Sequence, residues 1–378
     1  MEYKVSNLKN LTTYIARGIT PKYTEDKENG VVILNQKCIR DYKISFKEAK
    51  VHNIKDRNIS NEKILKKYDI LINSTGVGTA GRVAQYFESN CEISVDSHVT
   101  IVRPDKTKIN PLYLGYAIKE QQSIIEQMAE GSTGQTEISR NRLGEEILIK
   151  YPKDINIQRK IANILYTIDK RIKLNNKIND NLLKVGLILV NEYSNNVNNE
   201  IELNRVIKFI KGKKPKIIGG KKQENQKKYL TIACLNGQEL KYANTNKMII
   251  SDNDLLMVMD GASSGDVYYS DSGVVGSTLA KIDIINDKFK KGYIYFCIKK
   301  HENLIKSKNT GSAIPHTDKT FVGNLHIPKI DINQQKEFDI LLNKIQQNQK
   351  ENEILMHLRE TLLPKLMNGE IDLNKIKT

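Results

Sequence analysis

The sequence predicts a mixed α/β (α+β) chain, in which two pseudo-repeated domains are joined by two long antiparallel coiled-coil helices. Three observations carry this prediction. Motifs recur in the same order in both halves. Each repeat ends in a helix with heptad spacing. The chain's 378 residues leave room for two domains of about 150 residues, each large enough to bury its own core.

The repeat begins with Gly18-Ile19-Thr20-Pro21-Lys22, which returns as Gly212-Lys213-Lys214-Pro215-Lys216. Asp69-Ile70-Leu71-Ile72 leads to a glycine-rich loop at Gly76, and Asp254-Leu255-Leu256-Met257 leads to one at Gly261. Gly131-Ser132 recurs as Gly311-Ser312. Pro152 followed by Asn156-Ile157-Gln158-Arg159 recurs as Pro328 followed by Asn333-Gln334-Gln335-Lys336. The offset drifts from 194 (Gly18 to Gly212) to 176 (Pro152 to Pro328), so loops differ in length while order is kept. A period this long excludes a solenoid or propeller. The boundaries implied are 1–152 for the first domain, 153–198 for the first helix, 199–329 for the second domain, and 330–378 for the second helix and tail.

Within the first domain, strands are expected at Val31–Leu34, Ile70–Ile72, Val99–Val102 and Ile147–Ile149, with a helix from Leu112 to Met128 opened by Pro111. The first long helix is expected to be capped by Asn156. Its seam runs through Ile161, Ile164, Ile168, Arg171, Asn175, Ile178, Leu182, Val185 and Leu189. The second is expected to be capped by Asn333, with a seam of Phe338, Leu341, Ile345, Asn348, Asn352, Leu355, Arg359 and Leu362. Polar residues fall mid-seam in both. An antiparallel pairing brings Asn175 near Asn348 and Asn352, where buried amides cost stability and fix register.

Lys and Arg number 60 against 44 Asp and Glu, a net charge of +16. That excess favours a polyanionic partner, most simply nucleic acid. Ten cations and one acid (Glu224) lie between Arg205 and Lys228. The four cysteines, Cys38, Cys91, Cys234 and Cys297, form no CxxC pair; this spacing argues against a disulfide framework or zinc site and fits a reducing cytoplasm. No apolar leader follows Met1, and the longest apolar stretch, Val185–Val190, is too short to span a bilayer. A cytoplasmic protein is expected.

Catalytic motifs fail one by one. Gly76-Val77-Gly78-Thr79-Ala80-Gly81 has the GxGxxG spacing, but no long helix is predicted after it and the second copy does not repeat it. A tight glycine turn with Ser74, Thr75, Thr79 and Arg82 suits either a loop approaching a phosphate backbone or an ordinary hairpin. Asn110-Pro111-Leu112-Tyr113 departs from the amino-methyltransferase motif at its third position. The six histidines show no metal-ligand spacing. The polar loops at Thr133, Gln135, Arg140 and Asn141, and at Ser263, Ser264, Ser312, His316 and Lys319, carry groups able to reach base edges or phosphates, as do Lys213 and Lys214. No metal is expected.

These features together resemble the specificity subunit of type I restriction–modification enzymes. The resemblance spans nearly the whole chain. It rests on the two-domain, two-helix repeat, on the helix starts at Asn156–Arg159 and Asn333–Lys336, and on Ser74-Thr75-Gly76 with Gly81-Arg82. Its most specific motif is Leu362-Leu363-Pro364-Lys365-Leu366-Met367-Asn368-Gly369-Glu370-Ile371. It implies two target recognition domains, each reading half of a split double-stranded DNA sequence. It also implies helices that act as a spacer and dock two methyltransferase subunits, joined by restriction subunits where the system cleaves. It assigns no cofactor to this chain: S-adenosylmethionine, and ATP and Mg for restriction, would be bound by the partners. The Gly261–Gly265 loop departs from the first copy, so residues do not transfer between copies.

A helix rod of ~45–57 Å spans about 13–17 base pairs. An internal pseudo-twofold lets one chain bind two copies of a partner. Alternatives are the specificity subunit of a methylation-only or type II-like system, the fused reader of a self-contained methyltransferase, and a coiled-coil scaffold. Missing catalytic motifs argue against the fused enzyme, and charge with two globular repeats against the scaffold.

Overall fold

The computed structural model describes residues 2–371 except 27, 29, 89–91, 131–135, 312 and 313. Two units emerge. One comprises the chain up to Lys170 together with the residues from Met356 onward, and the other is Arg171–Leu355. Both boundaries cut through unbroken helices, the 42-residue Ile155–Asn196 and the 37-residue Ile332–Asn368.

In the first unit the strand Ile70–Asn73 is buried on both faces, as its continuous apolar run demands. It lies inside an antiparallel sheet ordered Thr12–Arg17, Val99–Pro104, Ile70–Asn73, Val83–Gln85. A second sheet is ordered Ile93–Val95, Gly30–Leu34, Lys50–Asn53, Tyr23–Thr24, its first pair parallel. The other unit repeats both. Ile207–Lys211, Leu279–Ile284, Leu255–Val258 and Val267–Tyr269 form the antiparallel sheet. Gly273–Val275 pairs in parallel with Gln226–Leu230 in the other.

The recurring Gly-x-x-Pro-Lys motif now has a physical reason. A Cβ on Gly18 would sit 1.9 Å from the Val95 carbonyl oxygen, and one on Gly212 would sit 2.2 Å from that of Gly276. The strand end must pass this close because Gly18 N–H donates to Val99 O (3.0 Å) and Gly212 N–H to Leu279 O (2.9 Å). The Gln at the third position of each helix-start motif is equally shared. Gln158 accepts from Asn110 N (2.8 Å) and donates to Pro152 O (2.7 Å). Gln335 accepts from Lys290 N (2.8 Å) and donates to Lys288 O (3.0 Å) and Ile330 O (3.1 Å). Each clamps a long helix to the segment that opens the short helix below it, Pro111–Glu120 or Lys291–Lys300.

Details of the helices differ from expectation. The single helix predicted from Leu112 is two, Pro111–Glu120 and Gln122–Gln127. The long helices are capped two residues earlier than Asn156 and Asn333. Asp154 accepts from Asn156 N (2.8 Å) and Asp331 from Asn333 N (2.8 Å), with Gln334 reaching back to Asp331 N (3.0 Å) as in a capping box. The buried stripe keeps Ile161, Ile168 and Asn175 but takes Leu165 and Ile172 in place of Ile164 and Arg171. Arg171 is thereby freed to form a two-pronged ion pair with Glu351 (2.8 and 3.0 Å).

Within the first unit, Ile161, Ala162 and Leu165 share one core with Leu363, Leu366 and Met367, and Arg359 pairs with Asp169 (2.7 Å). In the other, the helices again run antiparallel, with 171 against 351 and 179 against 345. Their mid-seam amides interlock there. Asn175 donates to Asn352 Oδ1 (3.0 Å), and Asn352 to Asn176 Oδ1 (2.9 Å). Asn348 donates to Asn179 Oδ1 (2.7 Å), so its partner is Asn179 and not Asn175. Among the described residues no helix is long and apolar enough to cross a membrane.

Candidate nucleic-acid interface

Both glycine loops leave the central strand of the antiparallel sheet and are built alike. Gly76 and Gly261 hold φ of +106° and +105°, a left-handed turn that a side chain would strain. Gly81 N–H returns to Asn73 O (2.8 Å) and Gly265 N–H to Val258 O (3.0 Å). A second segment is stitched alongside. Gly76 N–H donates to Thr136 O (3.3 Å) and Ile138 N–H to Ser74 O (2.8 Å). In the other copy Gly261 N–H donates to Pro315 O (2.9 Å) and Thr317 N–H to Met259 O (2.9 Å). Val83–Gln85, a strand, follows the first loop, which removes the dinucleotide-binding geometry its spacing suggested.

The expected contact residues fall into groups. Thr133, Gln135 and Ser312 lie outside the described residues. Ser74 and Ser264 are buried with their hydroxyls engaged, Ser74 with Thr100 Oγ1 (2.5 Å) and Ser264 with Gly261 O and Pro315 O (2.7 and 2.8 Å). They brace the loops. Thr79 donates to Thr75 O (3.3 Å) and Arg82 to Gly78 O (2.8 Å), which shapes the first loop from within. Ser263 is half-buried in the second. Arg140 and Asn141 open the exposed first turn of Arg140–Glu146, and Lys319 opens Lys319–Gly323, whose cap is Asp318. Lys213 and Lys214 are exposed just after Gly212, and among the described residues no acid lies against either. Several neighbours in the same basic run are paired, Lys208 with Asp283 and Lys228 with Glu353.

The loops also gather residues that the sequence reading missed. At the strand end before Gly18, Arg17 pairs with Glu137 and reaches Ile138 O (3.3 Å). At the matching place Lys211 pairs with Asp260 (3.1 Å), which also holds His316 Nδ1 (2.8 Å). Burial pushes the Asp260 carboxyl up, but the hydrogen bonds from His316 and Lys211 bring it below its usual value. The cation is kept in both copies, whereas its acid moves from one loop segment to the other. The signal was present: Arg17 and Lys211 each precede the glycine of a recognised repeat. In the first copy Thr75 Oγ1 lies 2.7 Å from His98 Nδ1 and 3.4 Å from Gln36 Oε1. Among the described residues no group of His, Cys, Asp or Glu is placed to hold a metal.

Comparison with known proteins agrees with this duplicated frame. The model of the Type I restriction modification DNA specificity domain matches residues 1–184 and 196–359. The chain is 31% identical over 176 residues to the type I restriction enzyme MjaVIII specificity subunit of Methanocaldococcus jannaschii, covering 44% of this chain and 41% of that one. It is 24% identical over 410 residues to the putative MjaX specificity subunit of the same organism, covering 100% of this chain and 95% of that one. The crystal structure of the type I restriction-modification S subunit from M. genitalium has a similar fold, with a TM-score of 0.59 at 19% identity, over 97% of this chain and 96% of that chain. With both halves matched by one family model, the chain belongs to the family of type I restriction–modification DNA specificity subunits.

Proposed function

We propose that this chain binds double-stranded DNA and that each copy reads one half of a split target. The long helices set the spacing and dock two methyltransferase subunits, with restriction subunits added where the system cleaves. Chemistry and its cofactors, S-adenosylmethionine and, for cleavage, ATP and Mg, reside in those partners. The observation that supports this reading is a shared backbone frame bearing different polar groups. Glycine loops, strand-end cations and Gln clamps recur, while Thr75, Glu137 and His98 give way to Asp260, His316 and Thr278. Two readers of one design with different side chains suit two unlike half-sites. The exposed Lys213, Lys214, Arg140 and Lys319 would supply phosphate contacts. The interlocked Asn175, Asn348 and Asn352 would hold the helices in one register.

The test is replacement of residues 1–150 by a foreign recognition domain, followed by sequencing of methylated adenines. One half of the motif should change. A change in both halves, or in neither, overturns the reading.

A further inference from the structure

The first copy contains a polar cavity of which the second keeps only part: Lys241 stands where Lys50 does, but Gln36, Asp96 and His98 are replaced. The cavity has a volume of about 190 Å³ and is lined by residues that include Tyr23, Gln36, Lys50, Asp96 and His98. Three separate segments deliver these groups. Gln36 lies in the short helical turn after Gly30–Leu34, Lys50 opens Lys50–Asn53, and Asp96 and His98 form the turn before Val99–Pro104. Asn35 and Lys37 also face the cavity, but Asn35 is committed to the turn, accepting from Lys37 N (2.8 Å) and donating to Glu48 O (2.6 Å). Asp96 accepts from His98 N (2.9 Å), and Thr75 of the glycine loop joins His98 and Gln36.

Backbone hydrogen bonds identify the matching positions. Asp96 N–H donates to Leu34 O (3.0 Å) and Gly276 N–H to Leu230 O (2.9 Å), so Gly276 stands where Asp96 does. Counting from these anchors, Ile232 replaces Gln36, Ala233 replaces Lys37 and Thr278 replaces His98. The fold is therefore built equally well with small or aliphatic groups at these points. Polar groups that the frame does not require, gathered beside the loop, are available to discriminate a ligand.

We propose that this cavity is the base-reading site of the first copy and recognises a base edge carrying an exocyclic amino group, adenine or cytosine. Gln36 supplies an amide whose Nε2 has no partner among the described residues, the group that pairs with adenine N6 and N7 in the major groove. Asp96 supplies a carboxylate acceptor suited to an amino group. Lys50, whose ammonium lies 4.7 Å from the Tyr23 ring centre, adds a cation at the rim. The second copy would read through Asp260 and His316 instead. This inference rests on the half-site reading proposed above.

The test uses the full chain with a randomised double-stranded DNA library, selecting bound sequences for wild type, Gln36→Leu/His98→Thr and Gln36→Glu. The double variant borrows from the second copy, placing an aliphatic residue at 36 and its threonine at 98. It should lose preference for adenine or cytosine at one position of one half-site by about tenfold to hundredfold. Affinity for the preferred sequence should fall by the same factor, while binding to non-specific DNA and selection at the other half-site should be unchanged. Gln36→Glu, which turns a donor into an acceptor, should move that position toward cytosine, and it does so even if the double variant fails to fold. Unchanged selection with both variants overturns the proposal. An equal loss for all sequences with a reduced salt slope also overturns it, because the cluster then contacts phosphate. Altered preference in both halves at once would overturn the half-site reading itself.

Discussion

Replacing Gln335 by Leu tests whether the clamp at each helix start holds helix to domain. Its amide satisfies one backbone N–H and two carbonyls in a fully buried position, and Gln158 satisfies one of each. An orphaned buried group costs about 1–3 kcal/mol, and the carbonyls less than the N–H. After the offset from burying leucine, Gln335→Leu should cost about 3 kcal/mol and Gln158→Leu about 2 kcal/mol. For units of this size that lowers the melting temperature by about 6–12 °C and about 4–8 °C. Hydrogen exchange by mass spectrometry supplies the local readout. The Lys290 amide, which donates to Gln335, should lose about 100-fold in protection in one variant, and the Asn110 amide a smaller factor in the other. Gln335→Glu should be worse than Leu, since it sets carboxylate lone pairs against two carbonyls. Unchanged protection at both amides, with melting shifts under about 1 °C, would refute the clamp.

Changing Lys213 and Lys214 to Ala should weaken DNA binding similarly for all sequences and reduce the salt slope by about 1 per lost contact; an unchanged slope would mark a solvated loop. At Asp254, burial raises the carboxyl, but hydrogen bonds from Lys281 and Lys291 bring it below its ordinary value. Its ionised form therefore stabilises the fold fully above about pH 4 and loses that contribution as pH falls through the lower folded value. Asp254→Asn should flatten the acid limb of urea midpoints measured from about pH 2 to 7, and a parallel shift at all pH values would contradict this. Adding one heptad to both long helices, near Asn175 and Asn348, lengthens each by ~10.5 Å. The methylated motif should gain about three base pairs of spacer or duplex binding should be lost, since the half-site also turns by roughly 100°. Undiminished methylation at the original spacing would show that the helices do not set it.

The duplication was legible in the sequence because its markers are residues that backbone geometry makes hard to replace: Gly18 and Gly212, Gly76 and Gly261, Gln158 and Gln335. The heptad register was less so. Ile164 and Leu165 are both apolar, and so is Ile172 beside Arg171; choosing between the stripes needs the partner helix, where Glu351 draws Arg171 outward. The caps were misplaced by two residues because Asp154 and Asn156, like Asp331 and Asn333, are equally good cap types. The cavity of Gln36, Asp96 and His98 was invisible because no local spacing links segments that meet through sheet pairing.

The first unit is discontinuous in the chain, and this bears on its synthesis. Its core includes Leu363, Leu366 and Met367, and Lys150 holds the carbonyl of Asn368 (3.1 Å) near the end of the second long helix. The other unit is the continuous stretch Arg171–Leu355. Vectorial translation ordinarily lets N-terminal domains finish first. Here the order inverts: the copy made second has all its parts while the ribosome is still supplying the last piece of the copy made first. Nascent chains stalled once residue 355 has cleared the exit tunnel should resist protease across 200–329 while 1–152 remains susceptible. Equal resistance of both segments at that length would mean that the helix end is dispensable for closing the first core.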